Sequence, residues 1–199
     1  MKLFKVISTF LIVLFFISQI FIYMSIFKTE QQKYTVIKSD PDFEIRFYPS
    51  ATLATIQMNV KSYKELSNSG FRTLAGYIFG GNESRKNISM TAPVHMDIKD
   101  TGSSMSFVMP EQYTTENLPK PNNTDIVLAR SEDEYVAVVT FGGYYSDEKI
   151  KANTEKLISL LQKNGIAHKG NFRYLGYNPP YQLFGRRNEI IVTVDWNNK

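Results

Sequence analysis

One order of hydrophobic patterns occurs twice in this chain, and that constrains its fold more than any single motif. Residues 43–48 (FEIRFY) alternate and are rich in β-formers, so they read as a strand, with 51–60 as its partner and Pro49-Ser50 at the turn. A helical pattern follows from about Ser62 to Phe79. Leu66, Gly70, Phe71, Leu74, Ala75 and Ile78 form its apolar stripe, and Gly80-Gly81 ends it. Residues 88–98, which include Pro93, and 105–109 read as two more strands. Residues 110–124 are a Pro/Asn-rich loop without periodicity.

The second half repeats this sequence of patterns. Residues 125–130 and 135–141 read as strands. Ser146 is placed to cap a helix whose first turn carries Asp147 and Glu148. Ile150, Thr154, Leu157, Ile158 and Leu161 give its apolar stripe, and Gly165 suits the position after its end. Residues 172–177 and 189–196 read as the closing strands, separated by Pro179-Pro180. The expected fold is therefore α+β. Two repeats of strands, helix and strands pair into one curved sheet of about eight strands carrying two helices. A cleft between the repeats is the expected ligand site.

The N-terminus is of a different kind. After a basic tip at 1–5, residues 6–27 form 22 positions without a charge. As a helix this run would reach about 33 Å, against a hydrocarbon core of about 30 Å. Its end (YMSIF) is bulky where a signal peptidase takes small side chains. The sequence predicts an N-terminal transmembrane helix, an anchor or uncleaved signal, followed by a linker at 28–33 and a domain at 34–199. The expected localisation is a single-pass membrane protein with its domain on the extracytoplasmic side. The alternative is a secreted or periplasmic protein after signal cleavage.

Charge and composition exclude several functions. From Tyr34 onward there are 19 Lys and Arg against 18 Asp and Glu, so the domain is nearly neutral and shows no concentrated basic face for nucleic acid. The absence of cysteine excludes disulfides, thiolate metal sites and iron–sulfur clusters. With 43% hydrophobic residues, a domain of this length can bury a core without such staples.

Four segments, GFRTLAGYIFGGN (70–82), MTAPV (90–94), FGGY (141–144) and GYNPPYQLFGRRNEI (176–190), occur in an order and at spacings that resemble the SOUL haem-binding family. FVMP at 107–110 adds to the likeness. The resemblance implies a distorted antiparallel barrel-like sheet with two helices. It implies haem or another tetrapyrrole as the ligand. It also places the domain near effector-binding, gyrase-inhibitor-like domains, which hold small organic ligands in a central cleft.

Some family members carry a histidine in an EIRHY strand; here Phe47 takes that place. His95 and His168 are the remaining imidazoles, and both read as locally hydrogen-bonded or surface residues. Haem would then lie in an apolar groove without a strong axial ligand, and with modest affinity. The groove candidates are Phe71, Leu74, Ala75 and Ile78 on the first helix of the domain, with Tyr181 as a cover. Arg186 and Arg187 are the candidate partners of the propionates, since guanidinium matches carboxylate geometry. Met90, Met96, Met105 and Met109 read as core filler. Glu189 opens an otherwise apolar strand. In a second reading it is the counter-ion to a cationic ligand in the central cleft, making the domain a module that senses a small molecule or a partner. No nucleophile–histidine–acid arrangement or phosphate-binding motif is present, so the chain reads as a binder and not an enzyme. A hydrolase built on Glu189 and nearby tyrosines is the minor reading.

Overall fold

The computed structural model describes residues 2–27, 29–99 and 102–196. Its elements run α1 (Lys2–Phe27), β1 (Thr35–Ser39), β2 (Glu44–Tyr48), β3 (Thr52–Met58), α2 (Tyr63–Ile78), β4 (Val94–Lys99), β5 (Gly102–Val108), β6 (Ile126–Arg130), β7 (Glu134–Gly142), α3 (Asp147–Lys163), β8 (His168–Gly176) and β9 (Arg187–Val194).

All nine strands join one antiparallel sheet in the order β1-β2-β7-β9-β8-β4-β5-β3-β6. This corrects the expectation of about eight strands: among the described residues there are nine, with α2 and α3 as the domain's two helices and α1 before them. The barrel-like closure is corrected too. Among the described residues β1 and β6 are the two edges and do not pair with each other. The strand missing from the sequence reading is β1. It is short and mostly exposed, so its sequence TVIKS carries no alternating apolar face to betray it. Leaving β1 aside, exchanging β2-β3-α2-β4-β5 with β6-β7-α3-β8-β9 turns the strand order into its own reverse. The halves thus meet at β8–β4 in the middle of the sheet.

The predicted transmembrane helix also requires correction. Residues 6–27 do lie within α1, but among the described residues no helix is long and apolar enough to cross a membrane. Lys5, Ser8, Thr9, Ser18 and Gln19 interrupt the apolar residues of α1. The membrane-tethered, extracytoplasmic localisation and its signal-cleaved alternative, both built on that span, are corrected with it.

Both domain helices begin on capping serines, which satisfy amide groups that have no partner within the helix. Ser62 Oγ accepts from the Glu65 amide at 3.2 Å, and Ser146 Oγ from the Lys149 amide at 3.3 Å. The chain leaves α2 through a turn so tight that a Cβ on Gly81 would lie 2.5 Å from the Gly76 carbonyl oxygen. α2 packs on β3, β4 and β5, and α3 on β7, β8 and β9, all on one face of the sheet. Leu66, Leu74, Leu157, Leu161, Met105 and Val192 are among the fully buried side chains between helices and sheet. The opposite, helix-free face carries a smaller apolar cluster of Tyr48, Ala92, Val136, Val138, Leu175, Tyr177 and Ile191, with Tyr34 packed against it.

Candidate functional site

Strand alternation sets the helix-free face. In β9, Asn188, Ile190 and Val192 point to the helices, so Glu189 and Ile191 point away from them. Glu189 is completely buried. A carboxylate there is tolerable only when paired and hydrogen-bonded. Arg46 of β2 donates to its Oε1 from Nη1 at 3.0 Å. Arg187 donates from Nε at 2.9 Å and Nη2 at 2.6 Å, and Thr140 from Oγ1 at 3.3 Å. Tyr177 donates to Oε2 at 2.8 Å. Glu44 completes the network by accepting from Arg46 Nε at 2.6 Å.

Electrostatics follow from this packing. Burial works against the Arg46 charge, but Glu189 and Tyr48 outweigh it and raise its pKa. The same balance holds for Arg187, where burial is overcome by Tyr177 and Glu189. Burial, and then the neighbouring Glu189 carboxylate, push the Tyr177 and Tyr48 phenols up. The two guanidinium groups therefore stay charged and the Tyr48 and Tyr177 phenols stay protonated near neutrality. The counter-ion role predicted for Glu189 meets a carboxylate already shared by two guanidinium groups.

The N-terminal segment crosses this face. Gln32 N donates to Ala92 O at 2.8 Å, and Ala92 N to Glu30 O at 2.9 Å. Gln32 Oε1 lies 2.7 Å from His95 Nε2. Burial, and then Arg173, push the half-buried His95 imidazole down to about 3, so it is neutral. His168 is exposed and stands edge-on to Phe172 at 5.0 Å. Phe47 leans on Tyr135 at 5.1 Å on the helix side of β2.

α2 divides the predicted groove residues in two. Leu74 and Ile78 are 0% and 1% exposed and pack into the core, which removes them from any surface groove. Phe71 is 41% exposed, Ala75 is half-buried, and Phe79, which the sequence reading took only as the end of the helical pattern, is 65% exposed. These three fall at i, i+4 and i+8, on one line along the outer edge of α2, where Phe71 also packs edge-on to the buried Phe107 at 5.3 Å. Arg72 and Gly76 are exposed beside that line, and a Cβ on Gly76 would meet nothing within 4 Å. An open groove of about 290 Å³ adjoins it, lined by Arg72, Thr73, Gly76, Tyr77, Asn122 and Ile126 among others.

The two cations expected for propionates are committed elsewhere. Arg187 serves Glu189. Arg186 is turned inward, donating from Nη1 to Pro179 O at 2.7 Å and Gln182 O at 2.9 Å while its guanidinium stacks 4.3 Å over Tyr144. Arg186 thereby holds the 178–186 loop, on which Tyr181 is 61% exposed. Met96, Met105 and Met109 are buried and Met90 is half-buried, in keeping with core filling. The sequence missed Arg46, Tyr34 and Tyr177. Their only signal was alternation, which places Arg46 on the same face as Glu44 and Tyr48.

Comparisons with known proteins agree with this architecture. The chain is 28% identical over 156 residues to Heme-binding protein 2 of Mus musculus, covering 74% of this chain and 76% of that protein. It is 27% identical over 155 residues to Heme-binding protein 1 of Xenopus laevis, covering 74% and 81%. Among solved structures, the EcmrR C-terminal domain superposes with a TM-score of 0.59 at 12% identity, covering 82% of this chain and 99% of that one. A hydrolase from Listeria innocua superposes with a TM-score of 0.54 at 11% identity, covering 80% and 94%. At such identities the structural likeness is one of fold alone. Residues 29–193 match the model of the SOUL heme-binding protein family, and the chain belongs to that family.

Proposed function

We propose that this protein binds haem or a related tetrapyrrole on the outer side of α2, as a binding protein and not a catalyst. The observation that carries the reading is the line of exposed Phe71, half-buried Ala75 and exposed Phe79 with Arg72 beside it. Phe71 and Phe79 are separated by about 12 Å along the helix axis, at 1.5 Å per residue, a span suited to a flat macrocycle. Ala75 and Gly76 between them let such a ring approach the helix, and Arg72 supplies a cation for a carboxylate. The haem-binding names of the curated relatives support the same ligand class.

The residues present fit haem held by its faces and carboxylates. They offer no imidazole there, because His95 lies on the helix-free face under Gln32 and His168 lies at the start of β8. Bound haem would bring its own iron chemistry; the chain would bring an apolar surface and a guanidinium. Affinity should accordingly be modest. Binding of a cation at Glu189 is the weaker reading, since Arg46 and Arg187 already neutralise that carboxylate.

The test is titration of the purified protein with hemin, followed in the Soret region against an albumin control. The expected result is a saturable shift at one equivalent. Partition that never saturates would overturn the reading.

A further inference from the structure

The helix-free face holds an aromatic ring in a fashion that resembles ligand recognition, and the ring is the protein's own. Tyr34 lies outside the strands, in the segment that crosses the face just before β1. The Arg46 guanidinium lies 4.3 Å from its ring centroid, and the Tyr48 ring packs on it at 5.2 Å. Arg187 Nη2 donates to its hydroxyl oxygen at 3.0 Å. The walls are built and rigid, since Arg46, Tyr48 and Tyr177 are nearly inaccessible and Glu189 fully so. Arg46, Tyr177 and Glu189 are fixed by the hydrogen bonds described above, and Arg46 Nη1 donates to the Tyr48 hydroxyl at 3.5 Å. The segment that delivers Tyr34 is attached far more lightly. Its links include the two backbone hydrogen bonds to Ala92, the Gln32–His95 contact, a hydrogen bond donated by the Glu111 amide to the Glu30 carboxylate and an exposed Lys33–Glu111 ion pair. Exposed pairs of that kind contribute little.

We propose that Tyr34 occupies a second binding site, separate from the α2 surface, and that this site takes an external aromatic ring bearing an anionic oxygen when residues 30–34 lift away. The chemistry selects that class. A ring face is what Arg46 and Tyr48 recognise, through cation–π attraction and stacking. The Arg187 donor ends on a phenol oxygen, and a carboxylate in its place accepts a stronger, charge-assisted bond. A cationic ligand would meet two guanidinium groups. The N-terminal segment thus acts as an internal competitor, and ligand affinity is reduced by the fraction of time that the site is filled by Tyr34.

The experiment uses the full chain, with Tyr34→Ala to empty the site and Gln32→Pro to loosen the segment without touching the ring site. Gln32→Pro removes both the amide that bonds Ala92 and the side chain on His95. Each is titrated by calorimetry with benzoate, cyclohexanecarboxylate and benzylamine. The expected result is saturable benzoate binding to Tyr34→Ala, roughly tenfold tighter than either comparison compound, as cation–π and charge-assisted contacts allow. Gln32→Pro should show the same preference at lower affinity, and wild-type protein the weakest binding. Equal binding of the three compounds would overturn the proposal. So would absence of binding, or loss of folding in both variants, which would make the segment a structural element instead of a removable occupant. Hemin binding at α2 should be unchanged in Tyr34→Ala, so failure of this proposal and failure of the haem reading are distinguishable.

Discussion

Arg46 and Glu189 lie 143 residues apart in the chain and meet at 3.0 Å, with side-chain exposures of 4% and 0%. One comes from β2 and the other from β9, on either side of β7, so the pair ties the first half of the domain to the last strand. Removing one partner of such a pair leaves an uncompensated buried charge, which costs about 3–5 kcal/mol. Glu189→Leu should therefore destabilise the protein by about that amount in urea unfolding. The double variant Arg46→Met with Glu189→Leu should recover part of the loss. Additive losses would show that the two residues do not act as a pair.

His95 gives the fold a pH dependence of definite sign. Its folded pKa lies at about 3, below the ordinary 6.5, because burial disfavours the charged ring and Arg173 repels it. The unfolded chain therefore binds the proton first. Stability is complete above pH 6.5 and falls as pH drops from there towards the folded pKa. Between pH 6.5 and 5 the loss should be about 1.6 kcal/mol, as the slope rises from half to nearly all of 1.36 kcal/mol per pH unit. His95→Gln should flatten the unfolding free energy across that window. An unchanged slope would show that another group is responsible.

Leu74 separates core from surface on α2. Leu74→Ala opens a cavity under a fully buried side chain and should cost about 2–5 kcal/mol. Hemin affinity of the folded variant should stay within about twofold of wild type, since the side chain faces away from the proposed ligand. A large loss of affinity without loss of stability would return Leu74 to the binding surface, where the sequence had placed it.

Asn82 holds the turn that follows α2. Its side chain donates to Tyr77 O at 3.0 Å and Lys86 O at 2.8 Å, and accepts from Lys86 N at 3.0 Å, while only 1% exposed. Asn82→Ala leaves those buried groups unpaired and should cost about 1–3 kcal/mol by thermal or urea unfolding. Hemin affinity should fall as well, because the turn positions Phe79 and Gly81 beside the groove. Stability loss with full affinity would confine the role of Asn82 to folding.

Periodicity made much of the domain legible. The i, i+4 series Leu66, Gly70, Leu74 and Ile78 is the buried face of α2, and Ser146 caps α3 where the pattern placed it. Phe71 and Ala75 were grouped with that series, but each lies about 100° further round the helix, which leaves Ala75 half-buried and Phe71 41% exposed at the margin of the core. Phe79 was taken only as the end of the pattern, and so the exposed line was missed. β1 was invisible because it is an exposed edge. The Arg46–Glu189–Arg187–Tyr177 cluster joins residues from distant strands, and only the strand order reveals that they meet. Nothing in the pattern near residue 34 shows that Tyr34 folds back over them. The apolar run at 6–27 was read as a complete span, whereas no helix among the described residues has the length and hydropathy to cross a membrane.

The central claim is that tetrapyrrole binding uses the outer side of α2. Hemin dissociation constants of wild type, Phe71→Glu with Phe79→Glu, and Phe184→Glu on the 178–186 loop test it most directly. Phe184 is 70% exposed and serves as a matched surface control. The account predicts that the α2 pair weakens binding at least roughly tenfold, about 1.4 kcal/mol, while Phe184→Glu leaves it unchanged. Wild-type affinity in the α2 pair, with loss in Phe184→Glu, would contradict it and move the ligand to the loop.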